Sequence, residues 1–178
     1  MTSLLRYAAV WLLRGYVAGY AFSGSHAAMR WNTTVRALSP GERSAMAWVA
    51  ANTPDSSRFL VFDAGAPWFG LDPASEWLPA ITGRTSVNTV QGYEWLPRRQ
   101  FYARRRRYEA LHSCAGSGVA CIEQWLTKAP PVGFVYLHDD SCCSALAASL
   151  RASPRYVPVF EQRGTVIFRR SPASADLR

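Results

Sequence analysis

Lysine is nearly absent from this chain: of 20 basic residues only Lys128 is not an arginine, and histidine occurs three times. Charged residues amount to 18%, too few for a charge-rich coiled coil, while 49% hydrophobic content excludes a disordered or collagen-like chain. Neither G-x-G-x-x-G nor G-x-x-x-x-G-K-[ST] occurs, and Lys128 stands in no phosphate-loop context, so the usual markers of a nucleotide enzyme are missing. A G-x-S-x-G elbow is missing too, which removes the marker of a common serine hydrolase class. Gly116-Ser117-Gly118, lying between cysteines, reads as a flexible loop. There is no internal repeat and no low-complexity segment. What remains is 178 residues, enough for one domain with its own core.

The net charge of +8 is a local feature. Six positive charges fall between Arg98 and Arg107 with no acid among them, leaving only +2 for the rest of the chain. Read as a helix over Arg98–His112, this stretch turns Phe101, Tyr108 and Leu111 inward, sets Arg99 and Arg106 opposite them, and flanks the stripe with Arg104 and Arg105. A solvated basic face is the simplest reading. A polybasic surface of Arg99, Arg104, Arg105, Arg106 and Arg107 against a membrane would gain about 1 kcal/mol per charge near anionic lipid. Nucleic acid ranks third as a partner, because no recognised binding motif accompanies the run.

Residues 1–34 differ from the remainder. Leu4–Phe22 is apolar and about long enough to span a bilayer, but Arg6 and Arg14 interrupt it. It reads as the end of a membrane helix, a weak signal segment, an interfacial amphipathic helix, or a helix packed on the core, followed by a linker from Ser23 to Thr34. Residues 35–170 read as an α/β domain and 171–178 as a flexible tail.

The α/β assignment rests on alternating signals. Ser39-Pro40-Gly41-Glu42 is a capping box with proline at the first helical position, and Asn52-Thr53-Pro54 ends the helix it opens. Arg58–Asp63 is a short apolar run suited to a strand buried on both faces. A short helix over Ala74–Ile81 and a strand around Thr85–Val90 come next, then the arginine helix and another over Cys121–Thr127. Val132–Leu137 is a second buried strand, Cys142–Ala152 a helix, and Arg155–Phe160 with Thr165–Arg169 a hairpin about Gln162-Arg163-Gly164. The expected architecture is a three-layer sandwich with a mostly parallel sheet, the C-terminal antiparallel hairpin supplying an edge strand.

Trp68, Glu76, Trp77, Arg84, Gln91 and Glu94 lie in segments following the first two expected strands, where open α/β sheets place ligand crevices. Carboxylates, amides and indoles together suit a saccharide, through hydrogen bonds to hydroxyls and stacking on apolar ring faces. The competing reading makes the tryptophans core and pairs Glu76 with Arg84. Asp63, Glu76 and Glu94 are the carboxylates on which an independent small α/β enzyme would draw for acid–base work. The cluster His138-Asp139-Asp140-Ser141-Cys142-Cys143 offers metal-ligand types, but adjacent residues seldom all face one ion, so no metal or cofactor is assigned.

Cys114 and Cys121 have six residues between them, including Gly116 and Gly118. That is enough to bring their Cα atoms to roughly 5.5–6 Å, where a disulfide is unstrained. We expect this bond in exported protein, with vicinal Cys142 and Cys143 not joined to each other. Either vicinal thiol could compete for the same partner, and four reduced thiols is the alternative.

Leu38-Ser39-Pro40-Gly41-Glu42-Arg43, Met46-Ala47-Trp48-Val49, Asn52-Thr53-Pro54, Ser75-Glu76-Trp77-Leu78-Pro79, Thr82-Gly83-Arg84 and Gln91-Gly92-Tyr93-Glu94-Trp95 resemble the C-terminal soluble region of bacterial multipass membrane proteins similar to polyprenyl-phosphate-sugar glycosyltransferases. The resemblance covers roughly residues 38 to 170. It implies an extracytoplasmic accessory domain, binding saccharide or packing on a multipass membrane domain, at the outer side of the cell membrane. Catalytic carboxylates of such proteins belong to the membrane domain, so the resemblance transfers no catalytic residue to this chain.

Overall fold

The computed structural model describes residues 38–63, 69–138 and 143–171, together with Tyr16. The chain divides into two compact units, Met1–Arg36 and Ala37–Arg178. Of the first only Tyr16, helical and exposed, is described; the expected Leu4–Phe22 segment and linker otherwise lie outside the described residues, as do Trp68, Asp139–Cys142 and the tail from 172. Among the described residues no helix is long and apolar enough to cross a membrane.

The second unit is α/β, with one mixed five-stranded sheet and five helices among the described residues. Helix α1 (Pro40–Asn52) starts at the Ser39 capping box: the Ser39 hydroxyl accepts from the Glu42 amide at 3.1 Å, and Glu42 accepts from the Ser39 amide at 2.6 Å. Strand β1 (Arg58–Asp63) follows, then a 3-10 turn at Phe69–Leu71 and helix α2 (Pro73–Thr82). Asp72 caps α2 by accepting from the Ser75 amide at 3.0 Å, and left-handed Gly83 closes it. Next come β2 (Thr85–Ser86), α3 (Arg98–His112), a 3-10 turn at Ser113–Gly116, α4 (Val119–Leu126), β3 (Phe134–His138), α5 (Ser144–Arg151), β4 (Tyr156–Gln162) and β5 (Thr165–Arg170).

The strand order is β2-β1-β3-β5-β4, a mixed sheet that is partly parallel, with the C-terminal hairpin antiparallel as the sequence implies. β1 pairs in parallel with β2 and β3, whereas β5 is antiparallel to both β3 and β4. The connection explains it. Helix α5 carries the chain from β3 to β4 across a gap one strand wide, and the hairpin folds β5 back into that gap. The hairpin therefore contributes an interior strand as well as the edge. Its turn needs positive φ at two successive positions, met by Arg163 at 49° and Gly164 at 76°. Gly41 packs so closely on this turn that a Cβ there would stand 2.5 Å from the Arg163 carbonyl oxygen.

The strand expected around Thr85–Val90 is shorter than the sequence implies: β2 starts at Thr85 but ends at Ser86. The Val87 amide still donates to Phe59 at 3.0 Å, but beyond it a side chain replaces the backbone ladder. The buried Asn88 carboxamide accepts from the Val61 amide at 2.9 Å and donates to the Val61 carbonyl at 2.8 Å. It meets both of Val61's polar groups as a neighbouring strand would.

Alternation along the strands separates two apolar clusters. Phe59, Val61, Tyr136 and Ile167 pack with Ala45, Met46, Val49, Ala74 and Leu78 from α1 and α2. Leu60, Phe62, Val135, Leu137, Val166 and Phe168 pack with Leu111, Ile122, Leu126, Leu146 and Leu150 from α3, α4 and α5. Each buried Val, Leu, Ile, Met or Phe side chain among these contributes about 1.5–3 kcal/mol over its exposed state.

Candidate functional site

The parallel strands β1 and β3 place their C-terminal residues, Asp63 and His138, in register. The chain leaves β1 towards β2 on one side and later returns to β3 on the other, so this is where the strand order switches direction and where open α/β sheets form crevices. Both residues are buried, and His138 Nδ1 lies 3.3 Å from the Thr165 hydroxyl. A polar cluster adjoins them. Asp72 is fully buried and accepts from the Tyr108 hydroxyl at 3.0 Å. His112, one helical turn beyond Tyr108, stacks on Phe62 and Tyr108 with ring centroids at 5.1 and 3.9 Å, and its Nε2 lies 3.9 Å from Asp72.

Burial dominates the electrostatics here. It raises the Asp72 carboxyl to about 7; the negative charge of Asp63 adds to the rise, and hydrogen bonds from Ser75 and Tyr108 oppose it. Burial lowers His112 to about 4. The imidazole is therefore neutral at pH 7, and its contact with Asp72 is dipolar rather than an ion pair. Burial, then the Asp72 charge, raises the Tyr108 phenol. The group can hold a proton near neutral pH inside the protein, and of its members Tyr108 lines a cavity of about 330 Å³. Tyr108 faces inward as its spacing on α3 implies, but its partner Asp72 is not among the candidate site residues that the sequence singles out. The legible signal was Tyr108 and His112 four residues apart on an inward helix face.

Of the expected saccharide residues, Glu76, Arg84 and Gln91 line one open cavity of about 460 Å³ beside α2 and β2. Trp77, half exposed, and Glu94, exposed, lie outside its lining, and Trp68 is outside the described residues. Arg84 does not pair with Glu76. It donates to the carbonyls of Ala50, Thr53 and Thr82, ties the C-terminal ends of α1 and α2 together, and pairs with Asp55 at 2.8 Å. Gln91 donates to the Phe69 carbonyl, while its buried Oε1 has no partner among the described residues. Asp63 and Glu94 do not share this cavity with Glu76.

Helix α3 runs over Arg98–His112 as the sequence implies, with Tyr108 and Leu111 buried and Phe101 half-buried, edge-on to Phe69. Its outward stripe is Arg98, Arg99, Tyr102, Arg105 and Arg106, all exposed. Arg105 pairs with Glu109 at 2.7 Å. Trp95, just before the helix, is 92% exposed. Arg104 and Arg107 lean instead over aromatic rings, 3.6 Å from the Tyr93 centroid and 5.0 Å from that of Trp125.

Cys114 and Cys121 form a disulfide with Cα atoms 5.5 Å apart, joining the turn after α3 to α4. Cys143 carries a buried thiol, and Cys142 lies outside the described residues. Among the described residues no group of three His, Cys, Asp or Glu side chains could hold a metal ion. No protein-family model, curated protein or solved structure matches the chain.

Proposed function

We propose that residues 38–171 form an extracytoplasmic accessory domain of a membrane glycosyltransferase-like protein, seated on an anionic membrane surface by the outward face of α3. The observation that carries this reading is the exposed stripe Arg98, Arg99, Tyr102, Arg105 and Arg106 with Trp95 beside its start. Arginine supplies attraction to anionic headgroups, and tryptophan and tyrosine favour the interfacial zone between water and hydrocarbon. The Cys114–Cys121 disulfide supports an oxidising compartment. The two apolar clusters on alternate strand positions support a three-layer sandwich, whose side bearing α3 would meet the membrane or a multipass membrane domain. The cavity of Glu76, Arg84 and Gln91 is the place for a saccharide ligand in this reading.

Co-sedimentation with phosphatidylglycerol vesicles tests the membrane face. Binding should be strong at low salt, weak at high salt and absent on phosphatidylcholine. The double variant Arg99→Gln/Arg106→Gln should lose most of it at unchanged thermal stability, and Trp95→Ala should lose part. Equal binding by wild type and double variant would overturn the reading. Tighter, salt-sensitive binding to DNA than to vesicles would replace it with a nucleic-acid partner.

A further inference from the structure

Arg104 and Arg107, the arginines of α3 that lie over aromatic rings, border a second feature, which shares Arg106 with the outward stripe. A cavity of about 330 Å³ lies against Gln100, Arg104, Arg107, Tyr108 and Trp125. Another, of about 560 Å³, lies against Arg106, Arg107, Gln124, Trp125 and Lys128, with the Cys114–Cys121 disulfide and Ala110 in its wall. The two share Ala103, Arg107 and Trp125, so they adjoin along one groove between α3 and α4. No acidic residue is among the described residues lining either.

Two of these cations, Arg104 and Arg107, are also held without being neutralised. A carboxylate that fixes an arginine cancels its charge; an aromatic face fixes the guanidinium and leaves its charge and its in-plane N–H donors available. Arg104 over Tyr93 and Arg107 over Trp125 are in the second situation. Trp125 is itself anchored, its indole N–H donating to the Arg107 carbonyl at 2.9 Å. The disulfide fixes the end of the groove by tying α4 to the turn after α3. Part of the ordering that an anion would otherwise impose on Arg104 and Arg107 is therefore already in place.

We propose that this groove binds a phosphoryl group carried on a flat or apolar body. The phosphoryl oxygens would lie at the shared wall, bonded by Arg107, with Arg104 on one side and Lys128 on the other. The body would lie along Trp125 and the disulfide. Several cations with planar donor forks favour a multiply charged tetrahedral anion over a single carboxylate. The proposal stands independently of whether the outward stripe meets a membrane.

The test is an NMR titration of the intact chain followed at the Trp125 indole N–H, assigned with Trp125→Phe. Phenyl phosphate represents a soluble phosphorylated ligand, monomeric dihexanoyl phosphatidic acid a lipid headgroup, and phenol the body without its charge. At least one phosphate probe should shift the Trp125 resonance saturably, and phenol should not. Arg107→Gln should weaken binding by about tenfold or more, Lys128→Gln should weaken it less, and Arg99→Gln should leave it unchanged. Saturation by phenyl phosphate alone assigns a soluble source, and by the lipid alone a headgroup. Should Arg107→Gln fail to fold, exposed Lys128 carries the test. No saturable shift with either probe overturns the proposal. So does equal weakening by Arg99→Gln, which would signal diffuse charge attraction; the vesicle result would be unaffected by either failure.

Discussion

Two carboxylates, Asp72 and Glu123, show how differently one functional group is treated in this fold. Glu123 on α4 meets cations. Arg155 pairs with it at 2.7 Å, Arg170 of β5 at 3.0 Å, and the Tyr156 hydroxyl donates to it from β4. Burial works against its charge, but hydrogen bonds from Arg170 and Tyr156 and the charges of both arginines outweigh burial and hold the carboxyl below its ordinary value. Asp72 is the more deeply buried and meets no cation: a backbone amide, a phenol and a neutral imidazole surround it, and Asp63 adds a like charge. It rises to about 7. Glu123 fastens the far end of the sheet to a helix, whereas Asp72 keeps a proton at the end where the parallel strands finish.

The comparison is most sharply tested at Glu123, where the largest effect is expected. Glu123→Gln removes the charge from under two arginines, of which Arg170 is only 15% exposed at its side chain. Hydrogen bonds to charged groups are worth roughly 1.5–3 kcal/mol, and partial exposure tempers the loss here. A destabilisation of about 2 kcal/mol is expected in urea unfolding. No measurable change would mean that the cluster is ornamental and the contrast with Asp72 false.

Removing the disulfide comes next in size. Cys114→Ser/Cys121→Ser frees a short loop and should cost about 2 kcal/mol in unfolding measurements. The same variant distinguishes the two regions: the pH behaviour set by Asp72 should survive it unchanged.

Asp72 and His112 supply the pH test, and their signs oppose. Asp72 has a folded value near 7 against an ordinary 3.8, so between these the native state holds a proton that the unfolded state has lost, and stability falls as pH rises. His112 has a folded value near 4 against an ordinary 6.5, so between these the unfolded state holds the extra proton, and stability rises with pH. From about pH 4 to 6.5 the two nearly cancel. His112→Phe keeps the ring stack and should expose the Asp72 slope, stability falling from pH 4 to 7 by up to roughly tenfold in the folding constant per pH unit. Asp72→Asn retains the cap on α2 and should expose the opposite slope. Parallel pH profiles for the two variants would break the comparison.

How legible this was in the sequence depended on the range of the interaction. The capping box at Ser39, the apolar runs of β1 and β3 and the arginine helix are local signals, and they sit where residue spacing puts them. The short loop between Cys114 and Cys121 is local too, and its bond follows. The loss of β2 after Ser86 was not legible, because Asn88 replaces backbone with side chain through contacts with Val61, 27 residues away. The position of β5 depends on where a crossover lands, which no pattern within the strand records. Asp72, Tyr108 and His112 come together over 36 residues or more, and only inward-facing Tyr108 and His112 left a trace. Glu76, Arg84 and Gln91 do meet at one cavity, yet Arg84 is taken up by helix ends that its composition-rich neighbourhood could not reveal.

The smallest expected effect separates the two arginines on Glu123. Arg155 makes one bond to the carboxylate, and its Nε and Nη2 are buried without partners among the described residues. Those unmet donors carry a desolvation cost that offsets what the ion pair contributes. Arg170, more deeply buried, reaches both oxygens of Glu123, at 3.2 and 3.0 Å. Arg155→Gln should therefore change stability by no more than about 0.5 kcal/mol, while Arg170→Gln should approach the cost of Glu123→Gln. A double-mutant cycle between Glu123 and each arginine gives the coupling directly. Coupling to Arg155 as large as that to Arg170 would mean that its charge, and not the two-oxygen geometry of Arg170, keeps Glu123 ionised.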